Sequence, residues 1–115
     1  MAELDLKERQ AGDVTILDLS GEVRIGGGSV ALRDSIRKLA DAGKTRVLLN
    51  LAGVKYMDSS GVGELIANYT TLSRGGGQLK LLNLTDRIQN LLVITKLLTV
   101  FDSYDNEAEA LKSFQ

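Results

Sequence analysis

Asp58-Ser59-Ser60-Gly61 sets one carboxylate and two hydroxyls on consecutive residues. A buried-looking apolar strand precedes it, and the clearest helical pattern of the chain follows. These are the residue types that cap helices, because a short side-chain oxygen can accept a backbone N–H left over in the first turn. A carboxylate there also complements the positive end of the helix dipole. One side chain suffices for a cap, so four cap-competent residues exceed that need. The surplus fits a second use. Ser59 is the kind of hydroxyl a kinase modifies, with backbone N–H groups nearby to receive a phosphate. A phosphate would add about −1.5 to −2 charges, favoured by the helix N-terminus and opposed by Asp58. Such a change alters the local potential and repels a partner without unfolding the domain. Pattern alone leaves capping and a functional loop both open.

Other chemistry is restricted by what is missing. The chain of 115 residues contains no His and no Cys. That excludes thiol nucleophiles, imidazole acid–base catalysis, Ser-His-Asp triads and thiolate or imidazole metal sites. A hard cation on carboxylates stays formally open, but no motif calls for one, and neither a metal nor a cofactor is expected. Gly26-Gly27-Gly28-Ser29-Val30-Ala31 satisfies the loose dinucleotide pattern, yet Asn50-Leu51 stands where the ribose-binding acid belongs. The same glycines lack the lysine of a phosphate-binding loop. Ser35-Ile36-Arg37-Lys38 matches S-x-x-K in the middle of a helix, without companion motifs. Arg33, Arg37 and Lys38 read as a solvated helix face, and Tyr69 as core or rim.

Elements that must position Asp58-Gly61 follow from periodicity. Leu4 and Leu6 alternate with Glu3, Asp5 and Lys7, as in a half-buried strand. Gly12-Asp13 turns the chain into a second strand, Val14–Leu19, which Ser20-Gly21 is expected to end. Ser29 is placed to cap a helix with Leu32, Ile36, Leu39 and Ala40 on one face, stopped by Gly43. Arg46–Leu51 is almost continuously apolar, the mark of a strand covered on both faces. Val62, Leu65, Ile66, Tyr69 and Leu72 recur at helical spacing up to Gly75-Gly76-Gly77, which suits a left-handed C-cap. Leu79–Leu84 reads as a strand. Thr85 should cap a short helix burying Ile88, Leu91 and Leu92. Leu98–Phe101 reads as a last strand, and Asn106 with Glu109 as the cap of a final helix through Ala110, Leu111 and Phe114.

The order is β-β-α-β-α-β-α-β-α, an α/β domain with a mixed, mostly parallel sheet and an N-terminal hairpin. Helices on one face or on both are equally compatible with the pattern. Length and the absence of proline, linkers and low-complexity segments point to one domain over 1–115. A composition 43% hydrophobic and 25% charged is enough for a core without disulfides or metals. The charged residues of Met1–Gln10 argue against a signal peptide or anchor, and no apolar run approaches the ~20 residues of a membrane span. A net charge of −1 gives no footprint for nucleic acid or acidic lipid. A cytoplasmic domain without direct nucleic-acid contact or membrane insertion is expected. Its hairpin edge could support weak homodimers.

The segment Leu49-Asn50-Leu51, Val54 and Tyr56-Met57-Asp58-Ser59-Ser60-Gly61-Val62-Gly63 closely resembles the signature of STAS-domain proteins, specifically the bacterial anti-sigma factor antagonists. Leu19-Ser20-Gly21-Glu22-Val23, Gly76-Gly77-Gln78-Leu79-Lys80-Leu81, Thr95-Lys96-Leu97 and Val100-Phe101 extend the resemblance over almost the whole chain. It implies a STAS fold, with about four helices packed mainly on one side of the sheet. It also implies a regulatory module rather than an enzyme. The unphosphorylated antagonist would bind a serine kinase anti-sigma factor and so free the sigma factor. Phosphorylation of Ser59 by that kinase would release it, and a serine phosphatase would restore it. Asp58, Ser59, Ser60 and Gly61 carry over as the partner-binding loop, with Val62 and Gly63 as further contacts. In place of the family's usual Asp after Gly21-Glu22-Val23, this chain has Arg24. A base for an acid there makes Arg24 a candidate for partner specificity. Two alternatives compete: a non-switching STAS scaffold subunit of a stress-signalling or transport assembly, and a nucleotide-binding domain.

Overall fold

The computed structural model describes residues 4–114; Glu3 and the other residues of the N-terminal reading before Leu4 lie outside them. β1 (Leu4–Ala11) and β2 (Val14–Val23) form the expected antiparallel hairpin about Gly12, which takes φ 62°. α1 (Gly27–Asp41), β3 (Arg46–Met57), α2 (Ser59–Arg74), β4 (Gln78–Leu82), α3 (Asp86–Ile94), β5 (Ser103–Tyr104) and α4 (Glu107–Lys112) complete the alternation. The sheet order is β1-β2-β3-β4-β5, and every pair after the hairpin is parallel.

Side-chain alternation on β3 explains the layers. Val47, Leu49 and Leu51 point to one face, where they meet Leu32 and Ile36 of α1, Leu65 and Leu72 of α2, and Ile88 and Leu92 of α3. Leu48 points the other way, into a smaller cluster with Ile16, Leu82, Ala110 and Phe114 beneath α4. β3 is therefore buried on both faces, which is why its sequence is apolar without alternation. Three helices cover one face and the short α4 the other, in keeping with helices mainly on one side.

A polar row crosses the α4 face. Arg9 on β1 donates to Asp18 on β2 (2.6 Å) and to Glu107 of α4 (2.8 Å). Asn50 on β3 donates to Asp18 (2.8 Å), and Asn83 donates to Asn50 (3.1 Å). The Arg9 guanidinium, with help from Asn50, holds the Asp18 carboxyl below its usual range despite the opposing effect of burial. Lys80, also on this face, is 7% exposed and donates to the Ser113 carbonyl (2.9 Å) just past α4.

Caps behave in most places as the sequence indicates. Thr85 accepts from the Ile88 N–H (3.2 Å), and Asn106 from that of Glu109 (3.0 Å). Gly76 takes φ 82° behind α2, and the Gly77 N–H returns to the Leu72 carbonyl (2.7 Å), as in a left-handed helix terminus.

Three expectations are corrected. Ser20-Gly21 does not end β2; the strand continues to Val23 through register irregularities between Asp18 and Ser20 and between Gly21 and Glu22, paired throughout with an equally extended β3. Ser29 does not cap α1. The helix starts behind Gly26 without a side-chain cap, and Ser29 is buried inside it. Leu98–Phe101 is not a strand, because its backbone is committed to turns: the Leu97 and Leu98 N–H groups both return to the Leu92 carbonyl. Phe101 instead enters the core edge-on to Tyr69, with ring centres 5.3 Å apart. The last strand forms two residues later.

The start of α1 lies directly on the end of β2. A methyl group on Gly28 would collide with the Glu22 carbonyl, whereas one on Gly63, on the outer side of α2, meets nothing within 4 Å. Gly28→Ala is expected to lose about 1–3 kcal/mol, as overpacked positions do. Gly63→Ala should gain about 0.5–1 kcal/mol from the better helix former. Urea unfolding with unchanged m-values but midpoints shifted in opposite directions is the check.

Candidate functional site

β2 and β3 are parallel neighbours, so their carboxyl ends and the helices that follow them come out side by side. The carboxyl ends of parallel strands, where helix N-termini gather, are where open α/β sheets place their ligand and partner sites. Here that edge brings together the Arg24–Gly26 loop, the first turn of α1 and Asp58-Ser59-Ser60-Gly61.

Asp58 ties these segments together. Its backbone N–H donates to the Val23 carbonyl (3.2 Å), continuing the sheet by one bond. One carboxylate oxygen accepts from the Gly61 N–H (3.0 Å), capping α2. The other accepts from the Ile25 N–H (3.0 Å) in the neighbouring loop. Burial pushes this carboxyl up, but the backbone N–H groups of Ile25, Gly61 and Ser60 outweigh it and hold it below its usual 3.8. Asp58 is thus a helix cap and a bridge between two loops.

The serines differ sharply. Ser60 is half-buried, and its hydroxyl is 2.9 Å from that of Ser29, joining the first turns of α2 and α1. Ser59 is exposed, at the first position of α2, and among the described residues its hydroxyl makes no hydrogen bond. Of the two serines, Ser59 is the one whose side chain a second protein can reach without breaking a hydrogen bond.

The remaining predicted residues divide the same way. Gly61 is buried, and a methyl group there would sit 2.6 Å from the Met57 side chain and 2.9 Å from Val23. Val62 is 4% exposed and belongs to the core, so the expectation of a side-chain contact from it is not met by its placement. Both set the loop's position. Gly63 is exposed on the outer side of α2. Arg24 is exposed at the rim, forked onto Glu22 (3.1 and 3.2 Å), with its guanidinium 4.2 Å from the centre of the Tyr56 ring.

Sequence reasoning missed the groove beside the loop. Tyr56, Met57, Asp58 and Ser59 form one wall, and Arg87, Leu91 and Ile94 of α3 the other, around a cavity of about 580 Å³. Ile94 is 76% exposed at its lip, and Ile25 is 77% exposed across the loop. An apolar residue on the outer side of α3 was the available signal, but nothing in the pattern set it beside Ser59. Asn50, where a dinucleotide fold needs its acid, instead bonds Asp18 in the polar row. Among the described residues no group of three or more acidic residues stands where it could hold a metal ion, and no helix is long and apolar enough to cross a membrane.

Two acceptor oxygens meeting two N–H donors make Asp58→Asn a sharp probe. An asparagine keeps one acceptor and turns an NH₂ toward the other donor. Asp58→Asn is expected to cost about 1–2 kcal/mol at pH 7. Because the folded carboxyl titrates below 3.8, the stabilisation is complete above that value and fades as pH falls through it toward the folded pKa. Denaturation of both proteins from pH 7 to pH 2.5 should show the gap closing only below about pH 4. A gap that stays constant across the series would remove the carboxylate's charge from the account.

Comparison with known proteins identifies the fold and the family. The STAS domain family model matches residues 5–110. The anti-sigma-B factor antagonist of Bacillus subtilis is 32% identical over 99 residues, covering 86% of this chain and 87% of that protein. A crystal structure of an anti-sigma factor antagonist from Mycobacterium paratuberculosis superposes with a TM-score of 0.85 at 19% identity, over 96% of this chain and 93% of that one. The Bacillus cell fate determinant SpoIIAA in its phosphorylated form does so with a TM-score of 0.75 at 21% identity, over 96% and 100%. With its sheet order, its loop and its curated relatives in agreement, this chain belongs to the STAS-domain family, among the anti-sigma factor antagonists.

Proposed function

We propose that this protein works by partner switching: unphosphorylated, it binds a serine kinase anti-sigma factor and thereby frees a sigma factor, and phosphorylation of Ser59 releases it. The observation that carries the reading is the contrast at the start of α2. Ser59 is exposed and unbonded, while Ser60 is tied to Ser29 and Asp58 to two backbone donors. In the transfer, the Ser59 oxygen bonds to the γ-phosphorus of ATP and the bond to the β-phosphate oxygen breaks. ADP leaves, and the hydroxyl proton passes to a base of the kinase. A serine phosphatase hydrolyses the ester and restores the binding form.

Because the Ser59 hydroxyl holds nothing in place, a phosphate there has no fold-stabilising contact to disrupt. Its effect is a charge at the point of contact, and like charges facing each other across an interface cost several kcal/mol. The partner surface we assign is the exposed rim: Ser59, Gly63 and Arg24 around the Asp58 clasp, with Gly61 and Val62 holding the loop from below. In this reading the protein is a cytoplasmic binding module and the chemistry belongs to its partners. That the phosphorylated form of SpoIIAA has been solved accords with it.

Tagged wild type, Ser59→Ala and Ser59→Asp, used to capture partners from lysate of the native cells with mass-spectrometric identification, test the proposal. Wild type and Ser59→Ala are expected to capture a small ATP-binding serine kinase, and Ser59→Asp to bind it at least about tenfold more weakly, or about 1.4 kcal/mol. With the kinase and ATP, wild type and Ser60→Ala should gain one phosphate and Ser59→Ala none. Equal capture of one scaffold or membrane protein by wild type and Ser59→Asp sinks the switch and leaves Asp58-Ser59-Ser60-Gly61 a helix cap.

A further inference from the structure

Tyr56, the last residue but one of β3, carries two cations. The Arg24 guanidinium lies 4.2 Å from its ring centre and that of Arg87, on α3, 5.4 Å. An aromatic face attracts one cation, and two sharing a ring repel each other. Their other partners differ. Arg24 is forked onto the Glu22 carboxylate, whereas among the described residues Arg87 makes no ion pair. Arg87 also faces the cavity that Ser59 lines. A guanidinium without a carboxylate and an unbonded hydroxyl thus line one groove, and the Tyr56 ring in the same groove holds the cation.

We propose that Arg87 is the internal receptor of the phosphate on Ser59. This rests on the reading of Ser59 as a phosphorylated residue and extends it to what the phosphate does next. A guanidinium offers a phosphate two parallel N–H donors, a stronger and more directional pairing than an ammonium gives. The dianion also relieves the repulsion between the two arginines. Its closure draws Arg87 across the groove between Tyr56 and α3. Release then has two parts: a negative charge appears at the contact surface, and the groove with its exposed cation is withdrawn from the partner. Asp58 opposes the phosphate, so a neighbouring cation has a defined task.

The pairing is measurable in the protein alone. Phosphoserine is installed at position 59 during translation, without a kinase, and its second ionisation is followed by ³¹P NMR titration. The groups facing the phosphate are Asp58 beside it, Arg87 from α3 and Arg24 from the neighbouring loop. Asp58 raises this pKa and the arginines lower it, since a nearby cation favours the dianion. Against wild type, Arg87→Ala and Arg87→Gln are expected to raise the value by about half a unit, and Arg87→Lys by less. Arg87 is exposed while its neighbours Ile88 and Leu92 anchor α3, so these variants keep the fold. Identical titrations for wild type, Arg87→Ala and Arg87→Gln overturn the proposal. So does a shift of that size in Arg24→Ala with none in the Arg87 variants, which assigns the phosphate to Arg24. Since neither kinase nor partner is present, these outcomes are separate from those of the capture experiment.

Discussion

The arrangement of the site depends on one carboxylate. Asp58 stands where β3 becomes α2, and its two oxygens satisfy N–H groups from different segments, Gly61 in its own helix and Ile25 in the loop after β2. Both bonds form only when the two loops keep one spacing, and hydrogen bonds to a charged acceptor are the stronger kind. The hydroxyl pair of Ser29 and Ser60 adds a second link between the first turns of α1 and α2. Ser59 lies between these fixed points and is itself uncommitted. The switch proposed for Ser59 suits this placement, because a charge gained there disturbs no contact that holds the fold.

The rest of the domain makes that support rigid. Parallel pairing of β2 with β3 sets the two loops side by side, and both strands run beyond their apolar cores to reach the site. At both register irregularities β3 carries one residue more than β2, and the pairing resumes beyond each. Close backbone approaches, Gly28 on Glu22 and Gly61 on Val23, leave no room for side chains and bring the first turns of α1 and α2 down onto the strand ends. On the opposite face, the row from Arg9 through Asp18 and Asn50 to Asn83 crosses the first four strands and reaches α4 through Glu107. It satisfies polar groups on a face that only a six-residue helix covers. The exposed chemistry is thereby confined to one edge.

The groove explains why the α3 side of the site matters as well as the loop. Its lining combines the aromatic Tyr56, the aliphatic Leu91 and Ile94 and the cationic Arg87, contributed by segments far apart in the chain. Arg24 adds a second cation to the same ring and pairs with Glu22. Two guanidiniums and one carboxylate thus meet around one ring at this edge.

Much of the molecule was legible from local rules. Alternation in β1, the continuous apolar run of β3, the helical stripe from Val62 to Leu72 and the caps at Thr85 and Asn106 each follow from side-chain periodicity or from one short hydrogen bond, and such signals lie within a few residues of one another. The identity of the loop as a switch candidate was legible for the same reason, because Asp58-Ser59-Ser60-Gly61 is contiguous. Failures came where backbone bonds or packing overrode local preference: Ser29 was drawn into a buried pair with Ser60, Leu98–Phe101 was consumed by turns that close α3, and Ser20-Gly21 was carried on by its pairing with β3. Local pattern was thus enough for the alternation of elements, the apolar faces of strands and helices and the presence of an acid and two hydroxyls at a helix start, but not for which face of the sheet each helix covers. Which hydroxyl is unbonded, which loop Asp58 bridges and which arginine shares a groove with Ser59 came from the tertiary structure alone. Those are set by parallel strand pairing and helix packing, which join positions that no spacing along the chain relates.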